Sequence, residues 1–338
     1  MERPAERLDP SLVFQAFIAY QKTAALRAAI ETGLFGAVGA GARTARDVAA
    51  HCRVSERGAR ILCDYLVVHG FLNKDAQGYA LAPIAAAFLD PASPGCIAPA
   101  IGFLGSPMLR GAFDRLTDAV RAGHTTIGGD AALAPEHPMW VEFARSMAPI
   151  AALSAELLAN RLDAPVGRRR RVLDVAAGHG LFGIAIARRD PDAEVVALDW
   201  PNVLTVAEEN ARSAGVADRV RMLPGSALTL DYGGPYDLIL LTNFLHHFDV
   251  AGCETILRKV HGALAPAGRA VALEFVPDEN RVTPADAGAF ALVMLAMTPG
   301  GDAYTFDDYQ GMFARTGFSR TELHDLPPSF QRVVIAHA

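Results

Sequence analysis

Residues 172–199 read VLDVAAGHGLFGIAIARRDPDAEVVALD: an apolar strand, a glycine turn, a helix, a second strand and an aspartate at that strand's tip. This order is a βαβ unit of the kind that receives a nucleotide. Gly178 and Gly180 let the backbone turn tightly and approach a ligand with no Cβ in the way, and Asp199, at the second strand's tip, is placed for a ribose diol. Taken literally, Gly178-His179-Gly180-Leu181-Phe182-Gly183 satisfies G-x-G-x-x-G, the pyrophosphate pattern of dinucleotide enzymes, which keeps an NAD-dependent oxidoreductase open. Asp174 argues the other way, because a carboxylate within the first strand opposes a pyrophosphate and suits a ligand ammonium. S-adenosylmethionine carries an ammonium, a sulfonium and a ribose and no phosphate, so a site of acid, glycines and acid fits it better.

The 338 residues suit two domains, and half of them are apolar (51%). No apolar stretch is long enough to span a bilayer, and the start, MERPAERLDP, is charged and proline-rich, so a cytoplasmic protein without membrane attachment is expected. Cys52, Cys63, Cys96 and Cys253 lack metal or redox spacing and read as free thiols. A net charge of −6 argues against nucleic-acid binding, which needs an excess of Lys and Arg to meet phosphates. The run Arg168–Arg171 is read as a solvated linker rather than a phosphate patch.

Working outward, 12–36 has apolar positions at helical spacing up to Gly33 and is too apolar to stay exposed. Thr44 to Asp47 opens a short helix, Ser55 caps another over 56–69, and 71–72 and 79–81 frame a hairpin at Gln77-Gly78, which together make a winged-helix shape. That shape raises a DNA-binding regulator as a rival, which the acidic chain and the apolar stretch 62–68 oppose. Helices are expected at about 108–122 and 137–161, the latter with a stripe of Trp140, Phe143, Met147 and Ile150. Beyond 172, strands near 172–176, 194–199, 219–223, 236–241 and 269–275 alternate with helices near 181–189, 201–214, 251–264 and 305–316, and two antiparallel strands close the chain. The fold class is therefore α/β, a Rossmann-like doubly wound sheet, with domains at 1–95 and 166–338 and a helical bridge at 96–165.

Ligands of such a sheet sit at the carboxyl ends of its strands. Asp174, Gly178 and Gly180 then face the methionine portion, Asp199 the ribose, and Trp200 and Ala227 the two faces of the adenine. Gly225 and Ser226 lie at its edge, and Asn243 beside the donor sulfur.

LDVAAGHG, Asp199-Trp200-Pro201, PGSA at 224–227, YDLILL at 236–241 and NFLHHF at 243–248 resemble the small-molecule O-methyltransferases that carry an N-terminal dimerisation domain. Plant phenolic, acetylserotonin-type and bacterial polyketide enzymes are of this kind, and the resemblance runs over about residues 12–338. It implies a class I methyltransferase domain, S-adenosylmethionine as donor with S-adenosylhomocysteine as product, and a homodimer formed through the winged-helix domain. It further implies that Phe143 and Met147 face a flat acceptor. Two departures stand out: Ala176 replaces a family glycine, and Ser226-Ala227 replaces an acid followed by a large apolar residue.

Methyl transfer from a sulfonium requires an aligned, deprotonated acceptor, and an imidazole titrates near working pH. NFLHHF offers His246 and His247. The resemblance makes His246 the base, His247 a pocket residue and Glu274 the supporting acid. Ala303 stands where a second glutamate is expected, with Asp302 beside it, which leaves C- or N-methylation open as an alternative. Phe290, Met294 and Met297 follow at helical spacing and suit an apolar pocket for an aromatic or polyketide-like acceptor. No ordered acidic cluster accompanies Asp249, so metal-independent chemistry is expected.

Overall fold

The single helix expected over 12–36 is three: α1 (Ser11–Phe17), α2 (Ala19–Glu31) and α3 (Leu34–Gly39). The first break falls at Ile18 (φ −102°, ψ 6°) and the second at Gly33, whose φ of 74° ends a helix without the Cβ clash any other residue would meet. This computed structural model describes residues 9–127, 137–162 and 169–338. It divides into two compact units, Met1–Ser106 and Pro107–Ala338, so the bridge expected at 96–165 falls on both sides of the division.

In the first unit α4 (Ala45–Cys52) begins at Thr44, whose hydroxyl accepts the Asp47 N–H while the Asp47 carboxylate accepts the Thr44 N–H. Helix α5 (Glu56–Val68) begins at Ser55, and the antiparallel strands β1 (Leu72–Asp75) and β2 (Gly78–Leu81) complete the wing. Its core gathers Leu34, Phe35, Val48, Cys63, Leu66 and Leu72, with Ala85 from α6 (Pro83–Phe88), and the short α7 (Ile101–Leu104) follows. Helix α1 buries none of its residues: Leu12, Phe14 and Phe17 are 76%, 63% and 73% exposed.

The second unit opens with α8 (Pro107–Asp114) and α9 (Leu116–Ala122), which interrupt at Arg115 the one helix expected at 108–122. The long α10 (Pro138–Arg161) follows. The alternating elements are then β3 (Arg170–Val175), α11 (Leu181–Arg189), β4 (Ala193–Asp199), α12 (Pro201–Ser213), β5 (Val220–Pro224) and β6 (Tyr236–Thr242). They continue with α13 (Val250–Ala263), β7 (Leu264–Glu274), α14 (Ala285–Met297), α15 (Phe306–Arg315), β8 (Arg320–Asp325) and β9 (Arg332–His337).

Among the described residues one sheet has the order β5-β4-β3-β6-β7-β9-β8, parallel except at β9, which runs antiparallel to β7 and β8. Leu158, Phe182 and Leu204 cover one face, and Ile256, Leu257 and Phe313 the other. Burial on both sides explains the apolar stretch Leu238–Leu241 at the centre of β6 and the pair Val172-Leu173 in β3.

The arginine run is not a free linker. Arg168 lies outside the described residues, but Arg169 pairs with Glu194, Arg170 is buried at the start of β3, and Arg171 sits over the Tyr236 ring, 5.0 Å from its centroid. The four cysteines are free.

Gly183 lets α11 lie close against β4: a Cβ there would stand 2.7 Å from Val195 Cγ1 and 3.1 Å from Asp174 Oδ2. Gly183→Ala is therefore expected to lower stability by about 1–3 kcal/mol through overpacking. Gly111→Ala, on α8 with nothing within 4 Å of the added carbon, is expected to be neutral or stabilising by up to about 1 kcal/mol. Urea midpoints of the two variants test the contrast; equal midpoints would mean that the helix moves away at no cost.

Candidate active site

The turn after β3 is left-handed at three places: Ala176 (φ 54°), Gly178 (57°) and Gly180 (73°). Gly178 supplies a left-handed bend, and Ala176, which stands where the resemblance expects a glycine, enters the left-handed region as well, where a side chain costs roughly 1–2 kcal/mol. Gly180 is further constrained by α12, since a Cβ on it would lie 2.9 Å from Ala207 Cβ.

This turn forms one side of an open cleft lined by residues from several strand tips and from α10. Asp199, at the tip of β4, lines it. Its Oδ2 accepts the Gly178 N–H at 2.7 Å and its Oδ1 the Trp200 N–H at 2.7 Å. Burial pushes its pKa up to about 6 against the pull of those two bonds. Each oxygen keeps a lone pair for a further donor.

Asp174 is placed differently from the expectation. The carboxylate is wholly buried and absent from the cleft lining; Oδ2 accepts the Gly183 N–H at 3.0 Å, and Oδ1 has no partner among the described residues. Burial pushes its pKa up to about 7, with Asp199 adding repulsion. The reading of Asp174 as the direct receiver of a ligand ammonium is corrected: it ties the first turns of α11 to β3 from beneath the site, because Gly183 admits it there.

Gly225, Ser226, Ala227 and Trp200 line the cleft as expected for an adenine, and Ala176 and Gly178 line it for the opposite end. The Ala227 carbonyl accepts Tyr232 Oη at 2.7 Å and Lys259 Nζ at 2.8 Å, a brace that sequence reasoning did not find. Asn243 is at the cleft with φ 54°, and its Oδ1 accepts from buried Gln331, another residue with no sequence signal, brought from the loop before β9.

Glu274 ends β7 with no exposure. Its Oε1 accepts the Phe244 and Leu245 N–H groups, each at 2.9 Å, and its Oε2 lies 2.5 Å from His246 Nδ1. The residues after β6 form a single 3₁₀ turn, Leu245–His247. His246 is buried and is not among the residues that line the cleft, with Phe290 edge-on at 4.9 Å, whereas His247 lines the cleft with its ring 4.3 Å from that of His246. Burial, reinforced by His246, holds the His247 pKa well below the usual imidazole range.

Of the stripe on α10, Trp140 and Phe143 line the cleft, while Met147 is half-buried outside that lining. Phe290 stacks on Phe275 at 3.8 Å, Met294 and Met297 are buried, and none of the three lines the cleft. Ala303 is buried, and Asp302 turns to Arg281 at 3.4 Å rather than to His246.

His179, between the two glycines, was passed over in the sequence. It is buried, its Nδ1 accepts the Leu181 N–H at 3.2 Å, and burial lowers its pKa to about 4.

The comparisons with known proteins agree with this architecture. Residues 113–319 match the O-methyltransferase domain family and residues 14–91 its dimerisation domain. The chain is 28% identical over 322 residues to 3-hydroxy-5-methyl-1-naphthoate 3-O-methyltransferase of Streptomyces sahachiroi, covering 94% of this chain and 91% of that one. It is 49% identical to a crystal structure of a putative O-methyltransferase from Nostoc punctiforme, over 98% of this chain and 100% of that one, with a TM-score of 0.93. Human N-acetylserotonin methyltransferase, solved with S-adenosylmethionine, shares the fold at 19% identity over 99% of each chain (TM-score 0.86).

The donor is S-adenosylmethionine, and the dinucleotide alternative is set aside. The residues fit the donor: a left-handed turn with no Cβ at Gly178 and a carboxylate with lone pairs to spare at Asp199, both lining one cleft.

Because the folded His179 refuses a proton until about pH 4 while the unfolded residue accepts one near 6.5, its contribution to stability is lost as pH falls through that window. The loss is on the order of 3 kcal/mol at most. Asn at this position keeps an acceptor for Leu181 and cannot be protonated. The stability difference between wild type and His179→Asn, followed by urea unfolding from pH 7.5 to 4.5, is expected to shift toward the variant as pH falls; parallel curves would refute it.

Proposed function

This chain belongs to the O-methyltransferase family that carries a dimerisation domain, and from that premise we propose that it methylates a hydroxyl of a small aromatic or polyketide-like metabolite, without a metal, with His246 as base and Glu274 as its support. The observation that carries this reading is the 2.5 Å contact between His246 Nδ1 and Glu274 Oε2. Glu274 already receives two backbone N–H groups through Oε1, so its Oε2 is left to take the imidazole N–H. That fixes the tautomer with the proton on Nδ1 and the lone pair on Nε2.

When bound, S-adenosylmethionine supplies an electrophilic methyl group and leaves as S-adenosylhomocysteine. The protein's tasks are to align the acceptor oxygen and to remove its proton. Nε2 of His246 takes that proton, and the charge that forms on the ring is met by Glu274 at once, without solvent reorganisation. The surroundings of His246, with Phe290 edge-on and Phe275 at 6.4 Å, favour a flat acceptor.

A second reading, N- or C-methylation, is supported by one feature. Ala303 stands where the family resemblance expects a second glutamate, so His246 has one supporting acid rather than two. Homodimerisation is supported by the match at 14–91 and by the exposed Leu12, Phe14, Phe17 and Tyr20 of α1 and α2.

His246→Ala is expected to lower turnover by about 10²–10⁴-fold, the usual share of general-base catalysis, with the donor's Kd by titration calorimetry within about twofold of wild type. Turnover that survives the substitution refutes His246 as base.

A further inference from the structure

The donor's sulfur carries a permanent positive charge, and among the described residues that line the cleft Asp199 is the one carboxylate. Asp199 is at the ribose end, where its oxygens meet the N–H groups of Gly178 and Trp200, and Asp174 is sealed beneath the turn. What the cleft presents instead is a set of aromatic rings. Trp140 and Phe143, one turn apart on α10, meet at 79° with centroids 5.8 Å apart, and Trp140 meets His247 at 85° and 5.7 Å. All three line the cleft, so rings in near-perpendicular planes bound one concavity.

Their position along the cleft follows from the chemistry. The acceptor oxygen has to lie at His246, whose ring is 4.3 Å from that of His247, so the end of the cleft bounded by His247 is where the methyl-bearing sulfur comes to rest. This placement rests on His246 being the base. His247 itself stays uncharged there, since burial and the neighbouring imidazole oppose its protonation.

We propose that Trp140, Phe143 and His247 form an aromatic corner that holds the sulfonium by cation–π attraction and thereby distinguishes the methylated donor from its demethylated product. Ring faces carry negative quadrupole charge, and onium groups are recognised in this way where no carboxylate is offered. The attraction acts on the charge alone. When the methyl leaves, the electron pair of the broken S–C bond remains on sulfur, the positive charge is gone, and the corner no longer favours what it holds. The rings thus lower affinity for the product without weakening contacts to the adenosine and amino-acid portions that donor and product share.

Titration calorimetry on the full chain tests this with S-adenosylmethionine, S-adenosylhomocysteine and sinefungin, which bears an ammonium in place of the methylated sulfonium. Trp140→Leu and Phe143→Leu are each expected to weaken the two cationic ligands by about three- to thirtyfold and to change S-adenosylhomocysteine by less than about twofold. Equal losses for all three ligands, or none, overturn the proposal, because packing alone does not sense charge. A shape-preserving series guards against misfolding of the leucine variants: in a Trp200→Phe background, Trp140 is the one remaining tryptophan of the chain's two, and it can be replaced by mono-, di- and trifluorotryptophan. The ratio of S-adenosylmethionine to S-adenosylhomocysteine affinity is expected to fall with each fluorine, and a flat ratio overturns the assignment. Binding requires no proton transfer, so a His246→Ala variant that still turns over would remove the base while leaving this result intact.

Discussion

The buried carboxylate of Glu274 is the interaction on which the site depends. It sits at the end of β7 with no exposure and receives two backbone N–H groups and one imidazole N–H from the residues that follow β6. An unpaired charge in that position would be far more costly than the fold could bear. Three donors satisfy it, and in doing so they bind the ends of two adjacent parallel strands and bend the chain into the turn that carries both histidines. The same contacts that make the charge tolerable choose the tautomer of His246.

The other acids of the cleft show how burial separates roles among like side chains. Asp199 and Asp174 lie on neighbouring strands, and both have raised pKa values, about 6 and about 7, because both are desolvated. Asp199 keeps its face to the cleft and meets N–H groups from two directions. Asp174 meets one, turned into the protein where Gly183 leaves room for it. The identity of the donor as an onium compound therefore finds its physical counterpart not in the acid of the first strand but in the rings of α10 and of the turn after β6.

Much of this was legible in the chain. The alternation of apolar runs and amphipathic stretches beyond residue 172 comes from short-range periodicity, and the glycine turn, the tip aspartate and the caps at Thr44 and Ser55 are local as well. Other features were out of reach for stated reasons. Nothing local breaks the helical pattern at Ile18 or Arg115. Ala176 carries no mark of a left-handed backbone, since alanine ordinarily avoids it. Gln331 and Lys259 act on residues 88 and 32 positions away, a distance over which sequence pattern carries no signal. His179, between two glycines, is a buried acceptor at the start of α11, a role set by what packs over it.

The sequence by itself determined the order of elements, the doubly wound class of the sheet and the residues from which a methyl-donor site could be made, because those follow from periodicity and from backbone freedom at single positions. Only the tertiary structure decided which of these residues face the cleft. Whether a carboxylate greets a ligand or braces a helix, and whether a histidine meets an acid or an open cavity, depends on which strand tips and helix faces are brought within a few ångströms of one another. That convergence is a property of packing, which no segment of the chain specifies alone.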